Sequence, residues 1–180
     1  MKISRDELNR IIEAHRINRE KYPLLLIGIR GYASLGGNTG NKRNIYDDGI
    51  VILTDRVCEV FPANTDPSRF GINPKIGKGF ASLKLGAYPS YIFDTHNGSR
   101  PHPAICQRVG EVTVLRDGGI EESGYFGINI HRGGEAGTSS DGCQTLPRAQ
   151  WNLFYKLAKS EAQRLWGDAW DKKTICYILC

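Results

Sequence analysis

Residues 127–147, GINIHRGGEAGTSSDGCQTLP, join two kinds of chain. Before them, short apolar runs alternate with turns marked by Gly and Pro. After them, the apolar residues fall into helical spacing. The stretch itself passes from an apolar run, Ile128–Ile130, straight into His131. It then runs through four glycines and five small hydroxyl or acidic residues to reach Cys143. Pro147 stands where a helix starts, and Leu153, Phe154, Leu157 and Ala158 give that helix one apolar face to about Trp166, with Gly167 as its stop. The stretch therefore reads as strand, loop and helix, with Gly124 to His131 as the strand that delivers the histidine. The chain as a whole reads as mainly β with flanking helices, an α+β fold.

Upstream, Ser4-Arg5-Asp6-Glu7 forms a capping box, and Leu8, Ile11, Ile12 and His15 share one helical face, so a helix is expected from residue 5 to about 20. Leu24 to Ile29 reads as a buried strand and Gly31 to Asn44 as a mobile loop rich in Gly and Asn. Gly49 to Leu53 and Val57 to Phe61 read as a hairpin. Pro62 to Lys78, punctuated by Pro62, Pro67 and Pro74, is expected to be loop, as is the polar run THNGSRPHP at 95–103. Further strands are expected at Phe80 to Leu85, Tyr88 to Phe93, Val109 to Leu115 and Thr174 to Leu179, with a turn at Asp117-Gly118-Gly119. We expect a single domain over 1–180, with residues 1–45 as a helix, strand and loop extension and 46–180 as the core.

The length of 180 residues is enough to bury a core without metals or disulfides, and 40% hydrophobic with 24% charged residues is the balance of a soluble globular protein. Net charge is +5, from 24 basic and 19 acidic residues that are scattered rather than clustered. There is no run of like charge and no nucleic-acid motif, so no nucleic acid partner is expected. Five cysteines, without CxxC spacing, form neither a disulfide framework nor a zinc ribbon. Residues 1–20 are charged throughout and the first apolar run is short, so neither a Sec signal peptide nor membrane insertion is expected. A protein made in the cytoplasm would then reach the periplasm or cell wall by release or injection. A delivery machinery or an immunity protein would be its partner, and a monomer is expected.

Cysteine acyl-transfer chemistry needs a thiol, a base to take its proton, a group to orient the base and donors for the oxyanion. Cys143 precedes the expected helix by four residues, near its positive end, and the preceding Gly142 permits a sharp turn. The Gly142 and Cys143 amides would face a developing oxyanion. His131, at a strand end, has the rigid mount a base requires.

The pattern His131-Arg132-Gly133 followed by Ser139-Ser140-Asp141-Gly142-Cys143 resembles the signature of L,D-transpeptidase catalytic domains, a YkuD-like mixed β-sandwich. The segment KGFASLKLGAYPSYIF at 78–93 is similar to the family's approach to its active site. The resemblance spans about residues 46–180. It departs in three places: Asp141 stands where the family has a loop histidine, Gln144-Thr145-Leu146 replace the usual Arg or Asn, and the His131-to-Cys143 spacing is short. The resemblance implies attack by Cys143 on peptidoglycan stem peptides and proton transfer by His131. It implies orientation of His131 by the Arg132 carbonyl and an oxyanion hole at Gly142 and Cys143. Substrate contacts or turn-shaping would come from Ser139, Ser140 and Asp141, with His96 and Tyr91 as further substrate contacts. No metal or organic cofactor is implied. Hydrolysis is expected over crosslinking.

Two other classes fit parts of the sequence. His96, His102, Cys106, His131 and Cys143 offer the donor types of a zinc-dependent hydrolase. Tyr88, Tyr91, Trp151, Trp166 and Trp170 offer stacking surfaces for a non-catalytic wall-binding module.

Overall fold

Both ends of the chain meet in one sheet. The computed structural model describes residues 3–32, 41–98 and 100–180. Residues 33–40 of the expected Gly31–Asn44 loop, and Ser99 of the expected 95–103 loop, lie outside the described residues.

In chain order the elements are α1 (Arg5–Ala14), β1 (Leu25–Ile29), β2 (Asp48–Leu53), β3 (Cys58–Ala63), β4 (Ile72–Asn73), β5 (Lys78–Gly79), β6 (Ala81–Leu83), β7 (Gly86–His96), β8 (His102–Gln107), β9 (Val112–Arg116), β10 (Glu121–Gly124), β11 (Ile130–Arg132), β12 (Gln144–Leu146), α2 (Arg148–Trp166) and β13 (Ile175–Leu179). The protein is thus mainly β, with two α-helices among the described residues. Eight strands form one sheet in the order β12-β11-β8-β7-β13-β1-β2-β3. Its two edges nearly close on each other, because Asn64, just past β3, exchanges two 2.8 Å backbone hydrogen bonds with Thr145 of β12. Such closure shields strand edges that would otherwise pair with other chains.

β1 lies inside this sheet, parallel to β13 and antiparallel to β2. The expected division at residue 45 is therefore corrected: the N-terminal strand is an interior member of the sheet and not an extension. Its run Leu25–Ile29 is buried throughout because both faces are covered. Leu24 and Leu26 face the main core, with α2 residues Phe154 and Ala158. Leu25, Ile27 and Ile29 face α1, where Leu8 and Ile12 pack.

The capping box is present, with the Ser4 side chain accepting from Glu7 N–H and Glu7 accepting from Ser4 N–H. The helix stops at Ala14 rather than near residue 20. Arg16 takes φ 53°, and its N–H donates to Glu13 O while Ile17 N–H donates to Ile12 O. This turn brings Ile17 onto the α1-side core.

Three other expectations change. The loop expected at 95–103 is a hairpin, since β7 runs to His96 and β8 begins at His102, with those two residues paired. Within the loop expected at 62–78, β3 extends through Pro62 to Ala63 as an edge strand, and β4 and β5 form a small hairpin. The strand expected over 124–131 is interrupted: β10 ends at Gly124, β11 begins at Ile130, and the chain between is irregular. A buried side chain causes the interruption. Gln107 Oε1 accepts hydrogen bonds from the backbone N–H groups of Phe126, Gly127 and Ile128, and its Nε2 donates to Gly110 O and Gly124 O. Those amides would otherwise seek a sheet partner.

Truncation of Gln107 strands five polar groups in a buried place. Gln107→Ala is expected to lower unfolding stability by about 3–4 kcal/mol, read as a shift of the urea midpoint. A loss below about 1 kcal/mol would mean that the side chain does not hold this segment.

Candidate active site

Strand register decides which side chains meet. β12, β11, β8 and β7 are successive neighbours in the sheet. Ile130 pairs with Ile105 of β8 and with Gln144 of β12, and Ile130 and Ile105 point into the main core. Residues one position away point to the opposite face. His131 on β11 and Cys143 at the foot of β12 therefore share that outer face. Asp94 pairs with Ala104 and His96 with His102, which places both histidines on it too. Four adjacent strands each contribute one of Cys143, His131, His102 and His96.

The side chains converge. A ring nitrogen of His96, a ring nitrogen of His131 and Cys143 Sγ lie within 4.8 Å of one another. The His96 and His131 rings stack at 4.2 Å with planes 20° apart, and His102 closes the triangle at 5.3 Å from His96 and 5.5 Å from His131. Cavities of about 700, 460 and 410 Å³ meet here. Cys143 lines the first and third, and His96 and His131 line the first and second.

The two stacked rings carry their protons on opposite nitrogens. His131 Nδ1 lies 2.6 Å from Arg132 O, an acceptor only, so Nδ1 bears the hydrogen and Nε2 is left with a lone pair. His96 Nδ1 lies 3.0 Å from Asn129 Nδ2. The orientation of Asn129 is set by Gln107 N–H, which donates to Asn129 Oδ1 at 3.0 Å. Asn129 therefore donates to His96 Nδ1, and the neutral His96 carries its hydrogen on Nε2. Sequence reading singled out neither Asn129 nor Gln107. Their roles come from partners across the sheet, for which no local motif exists.

Burial pushes His131 down to about 3, reinforced by His96, while its bond to Arg132 O works the other way. Burial also lowers His96, with His102 and Arg108 adding to it. Burial pushes the Cys143 thiol up to about 11; the Asn129 amide, 3.4 Å from Sγ, opposes this and Asp141 adds to it. The thiol itself donates to Gly127 O at 3.3 Å, an acceptor that favours S–H over S⁻. The resting pair is thus a neutral thiol beside a neutral imidazole.

The expected help from a helix N-terminus is corrected. The three residues of β12 separate Cys143 from α2, placing it roughly 10 Å of extended chain away, beyond the reach of the first helical turn. The expected oxyanion hole is corrected as well. Gly142 N–H donates to the buried Ser140 Oγ at 3.0 Å and is not free to face a ligand. Ser140 Oγ–H in turn donates to Cys143 O at 2.6 Å, so Ser140 shapes the turn, and it also lines the first cavity. Gly142 is required there: its φ is +153°, and a Cβ would lie 2.6 Å from Ala81 O.

Asp141 is paired with Lys75 at 2.6 Å and with Arg69 at 4.0 Å, both from the β4–β5 region. Ser139, at φ 52°, lines the first two cavities. Tyr91 is corrected outright. It is fully buried in the main core, edge-on to Tyr177 at 5.6 Å, because alternation along β7 turns it away from the face of His96. Tyr88, Tyr91 and Trp151 are buried, whereas Trp166 and Trp170 are half-buried and pack against the same core.

The His96, His131 and Cys143 cluster has the donor types of a metal site. A metal-binding imidazole normally donates its other N–H to an acceptor. His131 does so, whereas His96 faces a donor, Asn129, and so presents N–H where a metal needs a lone pair. Cys106 is buried, its thiol pushed up to about 12 by burial, and is not part of the cluster.

No protein-family model, curated protein or solved structure matches the chain.

Proposed function

We propose that the protein is a cysteine acyl-transfer enzyme of L,D-transpeptidase type that cuts peptidoglycan stem peptides through a thioacyl intermediate on Cys143. The observation that supports this reading is the approach of Cys143 Sγ to within 4.8 Å of a ring nitrogen of His131, while His131 Nδ1 is held by Arg132 O. Nε2 is then free to take the thiol proton as Sγ attacks a carbonyl. Collapse of the tetrahedral intermediate breaks the C–N bond, and His131 returns the proton to the leaving amine. Water, activated by the same nitrogen, then resolves the thioester.

Hydrolysis is favoured over crosslinking by charge. An acceptor amine arrives as an ammonium, and the one acidic group beside Cys143 that would receive it, Asp141, is already held by Lys75 and Arg69. The second cavity is lined by Arg100, Arg132 and Arg148 against the lone carboxylate of Glu135. Both lobes therefore disfavour a second cation.

Incubation with purified tetrapeptide muropeptides is expected to release the terminal D-amino acid and a tripeptide, with rates unchanged by EDTA. Muropeptide dimers, or exchange for an added D-amino acid as the main product, would mean that transfer wins. Activity lost to EDTA and restored by zinc would replace this mechanism with the metal-dependent one.

A further inference from the structure

The turn that presents Cys143 is short of an oxyanion donor. An oxyanion is normally held by at least two donors at about 2.7–3.1 Å. Gly142 N–H is committed to Ser140 Oγ, which leaves the Cys143 N–H as the backbone donor of the turn. Four further hydrogen-bonding groups near Sγ are also committed. Asn129 N–H points at Sγ itself, Ser140 Oγ–H at Cys143 O, His131 Nδ1–H at Arg132 O and the Lys75 ammonium at Asp141. His96 remains. Its Nδ1 is taken by Asn129, its Nε2 carries hydrogen, and its ring is stacked on the base with a nitrogen within 4.8 Å of Sγ.

We propose that His96 is a second catalytic histidine, which donates through Nε2–H to the oxyanion formed when Cys143 attacks a carbonyl. The proposal rests on the thioacyl reading above. In the step, the Sγ–C bond forms as the carbonyl π pair moves onto oxygen, and the thiol proton passes to His131 Nε2. His96 lends a hydrogen bond and keeps its proton. On collapse the pair returns to the carbonyl, the C–N bond breaks and the amine leaves with the proton from His131. The two rings act as a matched pair, one accepting and one donating. Their opposite tautomers are set by the Arg132 carbonyl and by the chain Gln107 N–H to Asn129 to His96.

An oxyanion donor matters only where an oxyanion forms, and this separates it from a structural role. Two reactions of Cys143 would be compared, each followed by mass spectrometry of its peptide. Acetylation by p-nitrophenyl acetate passes through a tetrahedral oxyanion. Alkylation by iodoacetamide does not. His96→Ala is expected to slow acetylation by about 10²–10³-fold and to leave alkylation within about threefold. His96→Gln, whose amide Nε2–H₂ overlays the imidazole donor, is expected to recover acetylation to within about tenfold of the native rate. Asn129→Asp keeps His96 but accepts a hydrogen bond from Nδ1–H, which selects the neutral tautomer without hydrogen on Nε2, and is expected to slow acetylation as far as His96→Ala does. His131→Ala is expected to slow both reactions. Acetylation of His96→Ala within threefold of native, or an equal loss in both reactions, would overturn the proposal. The ester carries no wall chemistry, so native protein that is acetylated on Cys143 but releases nothing from muropeptides would sink the peptidoglycan reading alone. Native protein that is alkylated but never acetylated there would remove the thioacyl reading and this proposal together.

Discussion

Cys143→Ala is expected to abolish release of the terminal D-amino acid from tetrapeptide muropeptides, a loss of at least about four orders of magnitude. Among the described residues, Cys143 is the one thiol that lines the cavities of the site. Cys106, another thiol on the nearby strands, is buried and its thiol is pushed up to about 12. The same change should leave the fold intact. Cys143 is half-buried, and its contacts with Asn129 N–H and Gly127 O are weak because a thiol sulfur is a weak donor and acceptor. A shift in unfolding stability within about 1 kcal/mol is expected. The contrast between lost activity and kept stability is what separates an enzyme from a wall-binding module. A Cys143→Ala protein that retained its full effect on sacculi would show that the wall is bound and not cut.

His131→Ala is expected to slow thioacylation by about two to four orders of magnitude at neutral pH, and the pH profile carries the sharper test. His131 is pushed down to about 3 and Cys143 up to about 11. Between those values the native pair is neutral and already in the form that reacts, so kcat/KM is expected to be flat from about pH 5 to 9. Acid removes activity only as His131 gains its proton, near the lower value. In His131→Ala the thiol must ionise unaided. Its rate is expected to rise about tenfold per pH unit until the thiol titrates, so the penalty shrinks as pH climbs. A bell with a limb near pH 6 in the native protein would mean that the pair rests as thiolate and imidazolium and not as a neutral pair.

Much of this architecture was legible before any coordinates. The capping box at Ser4, the hairpin of β2 and β3, the glycine stop at Gly167 and the stretch joining His131 to Cys143 all carry their signals in a few adjacent residues. What escaped was long-range. Gln107 breaks the strand expected at 124–131 by capturing amides about twenty positions away, and no local pattern announces that. The His96–His102 pair was hidden by its own turn, because Asn97, Gly98 and Pro101 make the whole segment look like loop. Alternation along β7, with Phe93 inward and Asp94 outward, was the available clue that the strand continues to His96. The Gly142 amide looked free because its partner, Ser140 Oγ, competes from only two residues away. The helix beyond Pro147 looked close to Cys143 because proximity in sequence does not reveal an intervening extended segment.

The pairing of β11 with β12 has a consequence for how such a site changes over time. His131 sits on β11 and Cys143 directly precedes its parallel, hydrogen-bonded neighbour β12, with His131 level with Thr145, two residues past Cys143. The ladder sets their separation, and within the connecting loop Ser140 and Gly142 shape the turn at Cys143. Glu135 and Ala136 stand exposed at its tip. That exposed tip can be lengthened or exchanged while His131 and Cys143 stay in register. An engineer can graft a recognition segment at the same place. Kinship traced by counting residues between histidine and cysteine would scatter such descendants, whereas kinship traced through the strand pair would gather them.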